Sequence, residues 1–498
     1  MLFAFLVCAL LCLAISNQSL WIDEGVAVWL ASQSSVRGLF STLNRLNTSD
    51  PQMPLYLVYM WSWTKLFGTS EIALRASNIP FAFLLSLAFS WTFGRLFWRR
   101  SLWLVLGLSP FLWFYMNEAR PYIPVIGLSA VSVLAAIAYL ADRERYGRKA
   151  PWICILSFLI LCASYMLGVV LGAVIVVLVA LEARRKKIDT KLIVNEWKLP
   201  IATHLPFFLL LGLYFLLTLL RGSGGVRRLP GPGNIAFAAY EFLGFSGLGP
   251  PRNDLRAYPH LTTLLPYWPW LCIGGLACLG LMFIASDAFC RRRQRSEIVS
   301  LLASLAVGGT LMAVASFVAR FQFWGRHWAP LFPLFVLSVT LLFSVELPGR
   351  HSRVVRLAAF VLLLLAWTVS DARLRLMPRY HKDDYRLAAE IALSKYRALG
   401  ATIAWVADRS TAQYYGLQEE EASIPVNWPV RAKCLFAANW PEQKVDDLVG
   451  GRIAPLVLVF SKPDLYDCAG VWSSAVKKFG AKRIATPNAF DIYLFDYR

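Results

Sequence analysis

Two successive carboxylates, Asp23 and Glu24, close a stretch from Met1 to Ile22 that carries no charged side chain. Lys65 and Arg75 follow, then Glu118, Arg120 and Tyr122 within five residues, and much later Arg326 and His327. Acid groups in or beside a bilayer cost on the order of several kcal/mol, so they mark a task. A carboxylate can take a proton from an attacking nucleophile, and ammonium or guanidinium groups can stabilise an anion that leaves. Arginine meets phosphate oxygens through two parallel hydrogen bonds, whereas lysine offers a point charge. This set suits a transfer reaction in which one partner is deprotonated and the other releases an anion.

The elements that must position these groups are apolar. Of 498 residues, 57% are hydrophobic and 16% charged, and the mean hydropathy is +0.53. Soluble domains are roughly 45–50% apolar with about 25% charge, so the chain reads as a polytopic α-helical membrane protein. The net charge of +20 does not call for nucleic acid. Lys and Arg fall mostly in short loops between apolar runs, as the positive-inside rule expects, and Trp and Tyr, 19 of each, suit membrane interfaces.

Spans are expected at 2–20, 72–97, 101–117, 119–140, 198–220, 268–289, 297–319, 329–347 and 357–372. Two short crossings fill 152–181, broken near Ser164 to Gly168, because a single crossing would place Arg184 to Lys187 on the wrong side. The first span lacks a basic leader and reads as a retained anchor. Residues 26–70 read as interfacial helices, too short or too interrupted to cross. The Gly- and Pro-rich residues 221–267 read as an outer loop with a short helix near 235–245 and a mobile lid at Gly222-Ser223-Gly224-Gly225.

Eleven crossings put the N-terminus in the cytoplasm and the acids, Arg227, Arg228, His260 and Arg326 outside. They divide the chain into a transmembrane part, 1–374, and a small extracytoplasmic α/β domain, 375–498. In the latter, strands are expected near 402–406, 455–460 and 492–495, with helices at 384–396 and 471–479. Outside the cytoplasm, Cys434 and Cys468 would be able to form a disulfide.

Four stretches carry a resemblance. They are Trp21-Ile22-Asp23-Glu24; Met53-Pro54-Leu55-Tyr56 with Lys65-Leu66-Phe67-Gly68 and Leu74-Arg75; Glu118-Ala119-Arg120-Pro121-Tyr122; and Arg326-His327-Trp328-Ala329-Pro330. In this order and spacing they resemble the GT-C glycosyltransferases that use polyprenyl-phosphate sugars, the group holding protein O-mannosyltransferases and bacterial lipid A aminoarabinose transferases. Met53 stands where that family has the first proline of a pair, His327 where tyrosine is usual, and Pro121 takes the variable position.

The resemblance implies a GT-C-like fold and an inverting transfer at the outer leaflet of the cytoplasmic membrane. A sugar would pass from a polyprenyl-phosphate donor to a protein, lipid or glycan acceptor. Asp23 would be the base, with Glu24 orienting the acceptor or sharing the proton. Lys65, Arg120 and Arg326 would hold the donor phosphate, and Tyr56, Arg75, Glu118, Tyr122 and His327 would contact substrate. No cofactor or nucleotide is implied, and no side-chain cluster calls for a divalent metal.

Blander readings stand beside these. Asp23-Glu24 would be a helix-end cap, Arg120 an ion pair with Glu118 or Glu24 that fixes its loop, and Lys65 a snorkelling interface residue. Other function classes are a polar-lipid transporter or flippase and a scaffold for an envelope polysaccharide complex. Transporters commonly show internal repeats. None is visible here, and the ionisable groups gather at the outer ends of spans, which favours interfacial chemistry.

Overall fold

Backbone N–H and C=O groups have no partners in hydrocarbon, so a chain this apolar is expected to cross as helices. In the computed structural model it does. The structure describes all residues except 47, 94–98, 148, 223–228, 258–260, 291–294, 345–349, 420–427, 429, 452–453 and 497–498. The lid expected at 223–225, and Arg227, Arg228 and His260, lie outside the described residues.

The chain divides into two units. One comprises Met1–Ile15, Thr42–Tyr59 and Arg75–Leu376, the other Ser16–Ser41, Met60–Leu74 and Met377–Arg498. Among the described residues eight helices are long and apolar enough to cross a membrane. They are Glu71–Thr92, Tyr122–Ala141, Met166–Lys186, Thr190–Leu220, Thr262–Ser286, Glu297–Ala319, Gly325–Ser344 and Arg353–Leu376. Leu2–Cys12 and Ala150–Ser164 are shorter apolar helices. This is a multi-pass membrane protein.

Within the first unit, Tyr122–Ala141 and Gly325–Ser344 are mostly buried and form the centre of the bundle, while Thr190–Leu220 is almost wholly exposed along its apolar length. The break expected in 152–181 is present. A helix ends at Ser164, a 3-10 turn covers Met166–Val169, and a second helix runs Val170–Lys186. The two approach one another closely beside the break, where a Cβ on Gly172 would lie 2.8 Å from the Phe158 ring.

Two expected spans are corrected. The helix expected over 2–20 stops at Cys12, and residues 15–21 are not helical. Its polar end, Ser16-Asn17-Gln18-Ser19, offers side-chain partners that compete with the helix ladder, as when the Gln18 N–H donates to the Ser16 hydroxyl (3.4 Å). The span expected over 101–117 is two pieces, Arg99–Gly107 and Pro110–Met116. Pro110 supplies no N–H and disfavours helix in the residue before it, so the second piece starts there.

In the second unit, the residues after Met377 form a five-stranded sheet in the order β4-β1-β5-β7-β6. Its strands are β1 (Thr402–Val406), β4 (Leu435–Phe436), β5 (Leu456–Ser461), β6 (Lys482–Ala485) and β7 (Phe490–Phe495); β2 (Leu417–Gln418) and β3 (Ala432–Lys433) pair separately. β1 is parallel to β4 and β5, while β7 runs antiparallel to β5 and β6.

Alternate residues serve opposite faces. Ile403, Trp405, Val457 and Val459 pack with the helix Tyr385–Leu399, and Ala404, Val406, Leu456 and Leu458 pack with Val445, Val449, Trp472 and Ala475. A parallel strand covered on both faces must be apolar throughout, as β1 and β5 are. Asp384 caps the first of these helices by accepting the Leu387 N–H (3.0 Å), the helix start expected there.

The helix Ile22–Ala31 belongs to this unit and lies against Arg409–Tyr414. A Cβ on Gly25 would fall 2.0 Å from the Thr411 hydroxyl and 2.9 Å from the Thr411 Cα, so only glycine permits this approach. Gly25→Ala should therefore cost about 1–3 kcal/mol through overpacking. Thermal unfolding of the detergent-solubilised protein should show a lowered midpoint, and an unchanged midpoint would refute the contact.

Candidate active site

The acidic pair is split by its surroundings. Glu24 is the third residue of the helix Ile22–Ala31 and is fully buried. Its carboxylate accepts the Lys382 ammonium at 3.1 Å and, more weakly, the Trp21 N–H at 3.4 Å. Lys382 is itself buried, so the two charges neutralise one another out of water. Asp23 is half-buried. Of the two acids it is the more accessible.

The strand leading to the pair is held by the C-terminal residues of the same unit. The Tyr415 hydroxyl receives the Leu20 N–H at 2.8 Å, Arg386 donates to the Asn17 carbonyl (2.8 Å) and pairs with Glu71, and the Tyr414 hydroxyl donates to the Thr69 carbonyl (2.8 Å). Asp383 pairs with Lys462, whose ammonium stands 5.9 Å from the Trp21 ring centre. Beside Asp23 the structure adds a carboxylate that sequence reading missed. Asp408 follows β1 and caps Arg409–Tyr414 by accepting the Thr411 N–H and hydroxyl, each at 2.7 Å. Burial raises its pKa from 3.8 to about 6 against the pull of these hydrogen bonds, and the Asp23 charge adds to the rise.

Lys65, in the same unit, is exposed at the end of the helix Pro54–Phe67, with its ammonium 5.7 Å from the Trp61 ring centre. Cys434 and Cys468 are free thiols, the first buried and the second exposed, which corrects the disulfide expectation. They are fastened apart: the Cys434 N–H bonds to the Gln418 carbonyl (2.6 Å), while the Cys468 thiol donates to the Asp464 carbonyl (3.4 Å).

In the first unit the Glu118–Tyr122 stretch forms a buried turn. Asn78, between two helices, donates its amide to the carbonyls of Tyr115 (3.2 Å), Met116 (3.2 Å) and Glu118 (2.7 Å), fixing the turn from outside. Arg120 is buried and bonds to Asp50 at 2.9 Å. Sequence reading did not anticipate Asp50 as its partner. Asp50 starts the 3-10 turn Asp50–Gln52, is steadied by the Thr48 hydroxyl (2.9 Å), and adjoins Pro51, whose carbonyl accepts the Tyr214 hydroxyl (2.9 Å).

Arg326 lies 5.9 Å from the Tyr122 ring centre, and the Tyr122 ring lies against those of Tyr115 and Tyr165. It is placed by its neighbour. The Gly325 N–H donates to Glu241 at 2.9 Å, and a Cβ on Gly325 would come within 2.6 Å of the Glu241 Cβ. Glu241 also pairs with Arg252, whose guanidinium stacks over Phe114 and Trp324. Glu241 lies on the helix Pro232–Phe242 of the stretch expected as an outer loop, so that stretch is a support for Arg326.

His327 turns inward. Its Nδ1 accepts the Trp324 N–H (3.0 Å) and its ring packs against Phe321 and Phe323. Arg75 and Tyr56 are buried in the same unit, Arg75 completely. Among the described residues no three His, Cys, Asp or Glu side chains gather as a metal would need.

Glu118, Arg120, Tyr122 and Arg326 therefore share one charged, phenol-lined site, with Asp50 and Glu241 as anionic supports. This arrangement sits in a fold already seen elsewhere. The crystal structure of ArnT from Cupriavidus metallidurans in the apo state matches 99% of this chain and 97% of its own, with a TM-score of 0.55 and 12% identity. The chain has the ArnT fold. The crystal structure of the same protein bound to undecaprenyl phosphate matches 100% of this chain and 98% of its own, with a TM-score of 0.51 and 12% identity. No protein-family model and no curated protein matches the chain. The GT-C-like architecture that the motif order implied is thus the architecture observed.

Two measurements test the site's electrostatics. Asp50→Asn leaves the Arg120 guanidinium buried without its counter-charge and should cost about 3–5 kcal/mol, whereas replacing both residues with apolar ones of similar volume should recover much of that. Thermal midpoints of the three proteins decide it. For Asp408, the folded state holds the proton more tightly than the unfolded chain does. Its stabilising contribution is full below pH 3.8 and is lost as the pH rises through about 6. The wild-type midpoint should therefore fall relative to Asp408→Asn across that window, and a constant difference would contradict it.

Proposed function

We propose that the protein is an inverting glycosyltransferase that moves a sugar from a polyprenyl-phosphate donor to an acceptor on the outer face of the cytoplasmic membrane. The observation that carries this reading is the cationic and phenolic site of Arg120, Arg326, Tyr122 and Tyr165, in a fold that ArnT uses with undecaprenyl phosphate. The accompanying orientation has a cytoplasmic N-terminus, residues 1–374 in the membrane as the catalytic part, and 375–498 outside.

In this scheme the acceptor's hydroxyl or amine attacks the anomeric carbon on the face opposite the phosphate. The bond from that carbon to the phosphate oxygen breaks, and its electron pair leaves with the phosphate. Asp23 takes the proton that the nucleophile loses. Arg120 and Arg326 receive the growing negative charge with two-pronged hydrogen bonds, and Lys65 adds a point charge. Asp50 tempers the charge of Arg120, so that an anion can be held and then released. Glu24, paired and buried, fixes the helix that carries Asp23, which narrows the role expected for it. Tyr122, with Glu118 beside it in the turn, contributes contacts to the donor end.

The test compares envelope glycans and glycoproteins by mass spectrometry in cells with the gene, without it, and with Asp23→Asn. A glycosyl unit should vanish in both altered strains, with transfer reduced about 100- to 10,000-fold by loss of the base. Unchanged glycoconjugates in the strain lacking the gene would sink the reading. Normal transfer by Asp23→Asn would remove Asp23 from it.

A further inference from the structure

The carboxyl ends of β1 and β5 lie side by side, because the two strands pair in parallel from Thr402 with Leu456 to Val406 with Phe460. A charged residue follows each within two positions, Asp408 after β1 and Lys462 after β5. In open α/β sheets, ligand groups collect outside the carboxyl ends of strands, where connections depart to opposite sides. β1 meets that description, with β4 on one flank and β5 on the other. What this edge holds here is the acidic helix Ile22–Ala31. Thr411 joins the two. Its N–H and hydroxyl bind the Asp408 carboxylate, and the same hydroxyl fills the space where a Gly25 side chain would stand. One side chain therefore separates the Asp408 carboxylate from Gly25, two residues on from Asp23.

Other charged and titratable groups surround this edge. Glu24 faces Lys382, Asp383 faces Lys462, Arg409 pairs with Glu419 at 2.9 Å, and the Tyr385 hydroxyl accepts the Asp408 N–H at 3.4 Å. Lys462 draws the Asp408 carboxyl toward ionisation, and Asp23 opposes it. Two carboxylates that feel one another do not ionise independently, and each makes the other a better proton acceptor.

We propose that Asp408 is the second carboxylate of the acid site, a positioning residue whose charge sets the pH at which Asp23 accepts a proton. This rests on the reading of Asp23 as the base. It makes the C-terminal domain part of the chemistry, since that domain supplies a charge which tunes the acid of a helix near the other end of the chain.

The experiment titrates Asp23 directly in the full-length protein in detergent. Dicyclohexylcarbodiimide adds to protonated carboxyl groups, so the yield of labelled Asp23 peptide, read by mass spectrometry between about pH 4 and about pH 9, traces its protonation. Asparagine still caps a helix, so Asp408→Asn keeps the Thr411 contact. It should move the Asp23 labelling midpoint down by about one pH unit, roughly ten-fold less labelling at a fixed pH above the midpoint. The reciprocal variant Asp23→Asn should lower the Asp408 midpoint by a similar amount, because coupling is mutual.

An unmoved Asp23 midpoint in folded Asp408→Asn protein overturns the proposal. Should that variant fail to fold, an unmoved Asp408 midpoint in Asp23→Asn overturns it equally. The assignment of Asp23 as base fails separately, if Asp23→Asn retains transfer, whatever the labelling shows. Unmoved midpoints together with an inactive Asp23→Asn protein remove only the role of Asp408.

Discussion

Charge taken out of water must be matched close by, because an isolated buried ion costs far more than one packing contact returns. That constraint arranges the buried charges of this protein. Glu24 is buried together with Lys382, and Arg120 together with Asp50. Glu241 gathers two partners, the Arg252 guanidinium and the Gly325 N–H, and the second places Arg326. In each case one member of the pair holds the other, or the other's neighbour, in place.

The same constraint separates the two acids of the N-terminal motif. Adjacent residues on a helix point about 100° apart, so one can enter the core while its neighbour stays at the surface. Glu24 took the buried position and with it a permanent counter-ion; Asp23 took the half-buried one. A motif that reads as two equivalent acids is thus two different groups in the folded chain. Capping geometry reinforces the difference, since Glu24 also accepts the N–H of Trp21 at the helix start.

What could be read from the chain was what is local in it. Helix lengths follow from runs of apolar residues, so most spans were legible, as were the break near Ser164 and the strands β1, β5 and β7. The order of short motifs was enough to indicate a GT-C-like fold at an identity to ArnT of only 12%. The misreadings also have local causes. Pro110 divides a run that hydropathy alone treats as continuous, and four polar residues from Ser16 shorten the first helix.

Pairing was not legible, because Asp50 and Arg120 stand 70 residues apart and Glu24 and Lys382 stand 358 apart. Nothing marks Lys382 or Glu241 as special in their own surroundings. The weak signal available was a charged residue beside a short apolar strand, as at Asp408, and an asparagine between two greasy helices, as at Asn78.

The 358-residue separation of Glu24 from its lysine bears on biogenesis. At about 5–20 residues per second, the acidic motif leaves the ribosome on the order of tens of seconds before its counter-ion exists. Through that interval Glu24 has no reason to be buried, and the helix that carries Asp23 has no Thr411 to lean on. The acidic helix thus waits for its packing partners until the last part of the chain has folded. The order of synthesis therefore makes the folding of the last hundred or so residues the step that completes the surroundings of Glu24 and of the helix that carries Asp23.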